Sequence, residues 1–87
     1  MKKFLFFIMF FITLTANAAS MKEKADSAYA AENYTEAIEI YNDILKEGTS
    51  ADIYYNLGNS YYKTDEIAKA ILNYERAILL RPWDSDI

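Results

Sequence analysis

At 87 residues the chain is short for even one ordinary domain, and a formal charge of −4 argues against nucleic acid or an anionic membrane surface as partner. With no cysteine and no histidine it lacks disulfides, thiolate metal sites, the commonest general base and the strongest nucleophile. Its acidic residues are scattered, which describes a solvated helix surface better than an acidic tail.

The N-terminal stretch opens on Lys2-Lys3, runs apolar from Phe4 to Ile12 and trails into Ala16-Asn17-Ala18-Ala19. A positive start, an apolar middle of about 7–15 residues and a small-x-small end describe a secretory signal peptide. All five phenylalanines lie in this run and all eight tyrosines after it. Phe suits a dry passage through a membrane, whereas Tyr packs its ring and keeps its hydroxyl wet. Cleavage after Ala18, or one residue later, makes 1–19 the leader and takes Lys2 and Lys3 with it, moving the formal charge from −4 to −6. The competing reading is an uncleaved inner-membrane anchor. Phe4 to Met21 are all uncharged and come near the lower length limit for spanning a bilayer. The polar Thr13, Thr15, Asn17 and Ser20 count against it. On either reading the chain meets a membrane only through this segment.

Past the leader the chain repeats itself at an offset of 33, pairing Tyr29 with Tyr62, Ala37 with Ala70, Ile38 with Ile71, Tyr41 with Tyr74 and Leu45 with Ile78. Softer pairs are Ala25 with Gly58, Tyr34 with Ile67 and Ile44 with Ala77. The matches recur at three- and four-residue steps, which is helical spacing. Helices are predicted near 20–31, 34–47, 51–63 and 67–80, joined by short links that make neighbours antiparallel. Asn33 with Glu36 is expected to cap the second, and Gly48 to close it in a left-handed conformation. Thr49 with Asp52 marks the start of the third. Asp65 or Thr64 is expected to cap the fourth, Asp65 to pair with Lys69, and Pro82 to forbid continuation.

Residues 51–84 resemble a tetratricopeptide repeat at each of its signature positions: Tyr54, Leu57, Gly58, Tyr61, Ala70, Tyr74, Ala77 and Pro82. Residues 20–50 resemble it less completely. Ala37, Tyr41 and Ile44 fit the second-helix pattern, but Ala25 and Ala28 replace the glycine and aromatic of the first helix. The resemblance implies an all-α fold: antiparallel hairpins at 20–50 and 51–84, stacked as a short right-handed solenoid behind the signal helix, with 85–87 opening a third unit. Small residues at Gly58 and Ala70 let two helices approach, with Tyr61, Tyr74, Leu57 and Ala77 filling the layer around them. The run from Tyr54 to Lys63, with Ala70–Ala77 and Arg81-Pro82-Trp83-Asp84, is similar to repeat proteins of bacterial aerotolerance (Bat-type) operons. That nearer resemblance implies a periplasmic or cell-envelope location beside membrane-anchored partner proteins.

The candidate functional surface follows from helical spacing. Tyr55, Asn59 and Tyr62 form a stripe at i, i+4 and i+7 beside the expected buried stripe Tyr54-Leu57-Gly58-Tyr61, and Asn56 and Lys63 extend it. The resemblance puts this stripe on the concave face of the first helices, where amides, phenols and an ammonium can grip a peptide. A carboxylate-gripping subclass of the family uses lysine and asparagine at inner positions; Lys22 and Asn56 match two of them and Asp26 departs from a third. The plainer reading is that Asn56 and Asn59 only wet the helix or bond between hairpins. Ile71, Ile78, Leu79 and Trp83 form a second, apolar surface, an open stacking end. It suits a chain continuing into further repeats, self-association or a partner helix, and it predicts a loosely stable monomer or a dimer joined at 71–83.

Nothing assembles the nucleophile, base and electrophile pocket of an enzyme. Asp84 and Asp86 lack the calcium-loop pattern around them, so no metal and no cofactor is expected. The sequence thus predicts an exported interaction module or scaffold that binds a protein or peptide, with a membrane-anchored assembly subunit as its rival.

Overall fold

The computed structural model describes residues 21–83. The leader, its anchor alternative, Asp84, Asp86 and the start of a third unit lie outside the described residues. Four helices follow one another within them: α1 over 21–30, α2 Tyr34–Glu47, α3 Ala51–Lys63 and α4 Ile67–Leu80, with no strand among the described residues. The last three coincide with their predicted spans. Among the described residues no helix is long and apolar enough to cross a membrane.

The second pair of helices is an antiparallel hairpin, as its cross-contacts show. The Tyr74 hydroxyl donates to Asn59 Oδ1 at 2.5 Å. Seven residues back along α3 and seven forward along the chain, Arg81 pairs with Asp52 at 2.8 Å. The same inverse stepping relates Lys69 over the Tyr61 ring, 5.5 Å away, to Arg76 over Tyr54, 5.8 Å away. Helix α2 packs in turn on α3, joining the hairpins.

Tight turns within each hairpin repeat along with the helices. Glu32 and Asp65, 33 residues apart, both sit at positive φ, 64° and 63°. The Asn33 amide donates to the Ala28 carbonyl at 2.8 Å and the Glu66 amide to Tyr61 at 2.9 Å, while Glu32 and Asp65 donate to Tyr29 and Tyr62. This is the Schellman closure of α1 and α3. It corrects the expected caps. Asn33 serves α2 through its carbonyl, which accepts from the Ala37 amide, and its side chain makes no capping bond. Neither Thr64 nor Asp65 caps α4, because both are spent on the turn that ends α3; Glu66 takes the N-cap position. Lys69 consequently pairs with Glu66 at 3.2 Å instead of Asp65. Gly48 is extended, at φ 166° and ψ 152°, not left-handed. Ser50, adjacent to the first turn of α3, accepts from the Ile53 amide, displacing Thr49 from that role.

The core is built from small residues at helix crossings. Ala25, Ala37, Ala70 and Ala77 are all but sealed from solvent. Ala25, Ala28, Ala37 and Tyr41 form one cluster with Ile53 and Leu57 of α3, flanked by Ile38, Ile44, Leu45 and Tyr61. On another side of α3, a methyl placed on Gly58 would lie 2.7 Å from two Tyr74 ring carbons and 3.2 Å from the Ala70 carbonyl oxygen. Only a residue without Cβ fits there unstrained. The stripe expected at Tyr54-Leu57-Gly58-Tyr61 is therefore corrected. Leu57 and Gly58 are buried, but Ile53 and Ser60 join them, while Tyr54 and Tyr61 are half-exposed edge residues beneath the α4 cations. Ser60 tolerates burial because its hydroxyl donates to the Asn56 carbonyl at 2.9 Å.

Candidate partner-binding face

Tyr55 and Tyr62 stand on α3 as its spacing requires. Tyr62 is 57% exposed. Tyr55 is half-buried, its ring centroid 5.8 Å from that of Tyr74 at a tilt of 46°. The two belong to a wider tyrosine surface. The Tyr74 hydroxyl is pushed above its ordinary ionisation range by burial first, and then by the neighbouring phenols of Tyr55, Tyr29 and Tyr62. Tyr29 also meets Tyr34 edge-on, with centroids 5.3 Å apart. The surface thus draws on α1, α2, α3 and α4. Tyr29 belongs to it, and its pairing with Tyr62 at the repeat offset was the signal that could have placed it there.

Two predicted contact residues have other employment. Asn59 is half-buried and accepts from Tyr74, as given above, so it holds the hairpin together instead of facing a ligand freely. At the equivalent place in the first hairpin, Asp26 accepts from the Tyr41 hydroxyl and from Lys22, the latter at 2.8 Å. Asp26 lies 33 residues before Asn59, and Tyr41 lies 33 before Tyr74, so one clip recurs in both hairpins. Burial raises the Asp26 carboxyl, but hydrogen bonds from Lys22 and Tyr41 and the Lys22 charge outweigh it and hold the group below its ordinary value. Burial and the same carboxylate push the Tyr41 phenol well up. Of the rest, Asn56 is half-buried and Lys63 is exposed at the end of α3. Lys22, Asp26 and Asn59 are thus knit into the scaffold, whereas Tyr55, Tyr62 and Lys63 keep their polar atoms available.

The second predicted surface is open among the described residues. Ile71 is 52% exposed, Ile78 41%, Leu79 80% and Trp83 78%. Ile67, Leu72 and Leu80, which spacing alone did not single out, are exposed beside them. Glu32, Glu36 and Glu39 border a shallow depression beside the α1–α2 turn, open to solvent. Among the described residues no group of acidic side chains converges as a metal site.

Paired antiparallel helices, small residues where they cross, a recurring phenol clip and a repeated turn define a helical-repeat protein. Residues 51–84 match the family model of the tetratricopeptide repeat, which supports placing the chain in that superfamily. Repeats of this kind are typically interaction modules without catalytic activity. Among curated proteins none gives a significant match to the chain.

Proposed function

We propose that the chain is an exported protein–protein interaction module or scaffold of the bacterial cell envelope. Its hairpins stack as a short right-handed solenoid and hold a protein or peptide on the concave side of α1 and α3. The observation that carries this reading is the division of labour on α3. Its small and aliphatic residues are consumed by packing, while Tyr62 is exposed and Tyr55 is only half-buried, against Tyr74. Phenols of this kind press rings against side chains and bond a peptide backbone. Export rests on the charge and hydropathy of 1–19, and the nearer resemblance to Bat-type repeat proteins supports membrane-anchored partners.

Affinity capture from envelope extracts, comparing the parent chain with Tyr55→Ala and Tyr62→Ala, tests the face. Partner recovery should fall in both variants, and undiminished recovery in both removes the groove from consideration. Asn59→Ala is not a clean probe, because it also breaks the clip to Tyr74. The second reading, a membrane-anchored assembly subunit, is favoured by the uncharged stretch from Phe4 to Met21. The mass of the N-terminus separates them: Ala19 or Ser20 first supports export, and an intact Met1 supports the anchor.

A further inference from the structure

The tyrosine face offers donors and few acceptors. Among the described residues the hydroxyls of Tyr29, Tyr34, Tyr55 and Tyr62 have no hydrogen-bond partner, and none of them is sealed from solvent. The acceptors beside them are already engaged: Asp26 takes the Tyr41 hydroxyl and Asn59 Oδ1 takes that of Tyr74. An α-helix answers such a face poorly, since its carbonyls are bonded within itself, and a β-strand brings N–H groups that also need acceptors. A polyproline II segment presents unbonded carbonyls, its prolines carry no N–H, and their rings lie well against aromatic side chains.

One end of this face is acidic. Tyr34 meets Tyr29 edge-on and also lines the open depression bordered by Glu32, Glu36 and Glu39. Among the described residues Lys22, Lys46, Lys69 and Arg81 pair with other carboxylates, and none of these three glutamates has a cation. The glutamates alone are a solvated patch; the phenol they share with the face gives them a direction. A guanidinium placed there meets the Tyr34 ring and the carboxylates together. We propose that the tyrosine face binds an extended, proline-rich segment of a partner protein, with an arginine of that segment beside Tyr34 among the glutamates. This rests on the tyrosine face being the partner-binding surface and adds the chemistry of its ligand.

The probe is a labelled synthetic oligoproline carrying one arginine, titrated into the full 87-residue chain and followed by anisotropy. Two matched peptides accompany it, one with glutamate in place of the arginine and one with alanines in place of the prolines, which forms a helix. Saturable binding of the first is expected, with the other two weaker by about tenfold or more. Tyr62→Phe removes only a hydroxyl from an exposed side chain and should weaken binding by about fivefold, as the loss of one hydrogen bond implies. Glu36→Gln/Glu39→Gln should weaken it by about threefold and reduce its salt dependence. Circular dichroism matching the parent chain keeps folding out of the comparison. No saturable binding overturns the proposal, as does equal binding of either matched peptide or indifference to either set of substitutions. If the oligoproline fails while envelope capture still falls in Tyr55→Ala and Tyr62→Ala, the ligand chemistry is wrong and the face stands. If both fail, the face goes as well.

Discussion

Gly58→Ala is the sharpest test of the packing argument, because two opposing terms of similar size meet at one atom. An alanine in a helix interior is favoured over glycine by about 1 kcal/mol. Against this, the new Cβ would sit 2.7 Å from Cδ1 and Cε1 of Tyr74 and 3.2 Å from the Ala70 carbonyl. The ring cannot simply swing away, since its hydroxyl is tethered to Asn59 and its face leans on Tyr55. The helices must part instead, and overpacking of this kind costs about 1–3 kcal/mol. The net expectation is destabilisation of about 0–2 kcal/mol, and Ala25 shows why it is not more. That residue occupies the equivalent place under Tyr41 at 0% exposure, so the hairpin can adapt to a methyl when its partners adapt with it. Urea unfolding followed by circular dichroism measures the change. Repeating Gly58→Ala in a Tyr74→Phe background, where the tether is gone, should shrink the penalty by about 0.5–1 kcal/mol. A Gly58→Ala chain more stable than its parent by the full propensity gain, or a penalty unmoved by Tyr74→Phe, refutes the close-approach account.

Other expectations concern single side chains. Asp65→Gly, at φ 63°, should stabilise the chain by up to about 1 kcal/mol by relieving a left-handed residue, and a midpoint that falls in urea contradicts the turn assignment. Asn73 is 3% exposed and its Oδ1 has no hydrogen-bond partner, although its amide nitrogen reaches the Lys69 carbonyl at 2.8 Å; Asn73→Leu should therefore raise the thermal midpoint, matching Ile40 at the equivalent place. The Asp26–Tyr41 clip should fail at both ends of the pH scale. Asp26 ionises below its ordinary value when folded, so its stability is present above about pH 4 and lost as pH falls further. Tyr41 ionises above its ordinary value when folded, so its stability is full below about pH 10 and lost as pH rises. Thermal melts across pH should show both losses, and Asp26→Asn, which copies the Asn59–Tyr74 arrangement, should flatten the acid side.

The helix spans were legible because periodicity and punctuation agree at each of them, and the turns were not. Nothing in the residue types Glu32 and Asp65 announces a left-handed turn; what places them there is the Schellman closure, which recurs because the hairpins recur. The buried stripe of α3 was misplaced for a different reason. A helix lodged between two neighbours has two contact faces, Gly58 toward α4 and Ile53 with Leu57 toward the first hairpin. A search for one amphipathic stripe averages them and lands on the half-exposed tyrosines between. Spacing alone puts Asn59 and Asp26 on the inner face and hides their clips, because their partners are fifteen residues away in sequence. The signal was present in the offset: an acceptor at 26 and 59 and a phenol at 41 and 74 recur together.

That recurrence changes the chemistry left for a partner. With the Lys22 ammonium held 2.8 Å from the Asp26 carboxylate, a carboxylate-gripping site loses its cation and keeps only Asn56 of its two matching positions. A peptide C-terminus arriving there would have to displace Asp26 from Lys22 and meet its negative charge, so electrostatics opposes that mode. What remains on the tyrosine face are phenols such as Tyr55 and Tyr62, able to donate and to accept, with the exposed Lys63 next to Tyr62 in the chain. Phenols bond backbone amides without preferring a terminus, and their rings add contact area at low entropic cost. If the proposed face binds a partner, it is suited to the middle of an extended or helical segment, with the tyrosines, more than the asparagines, supplying the contacts.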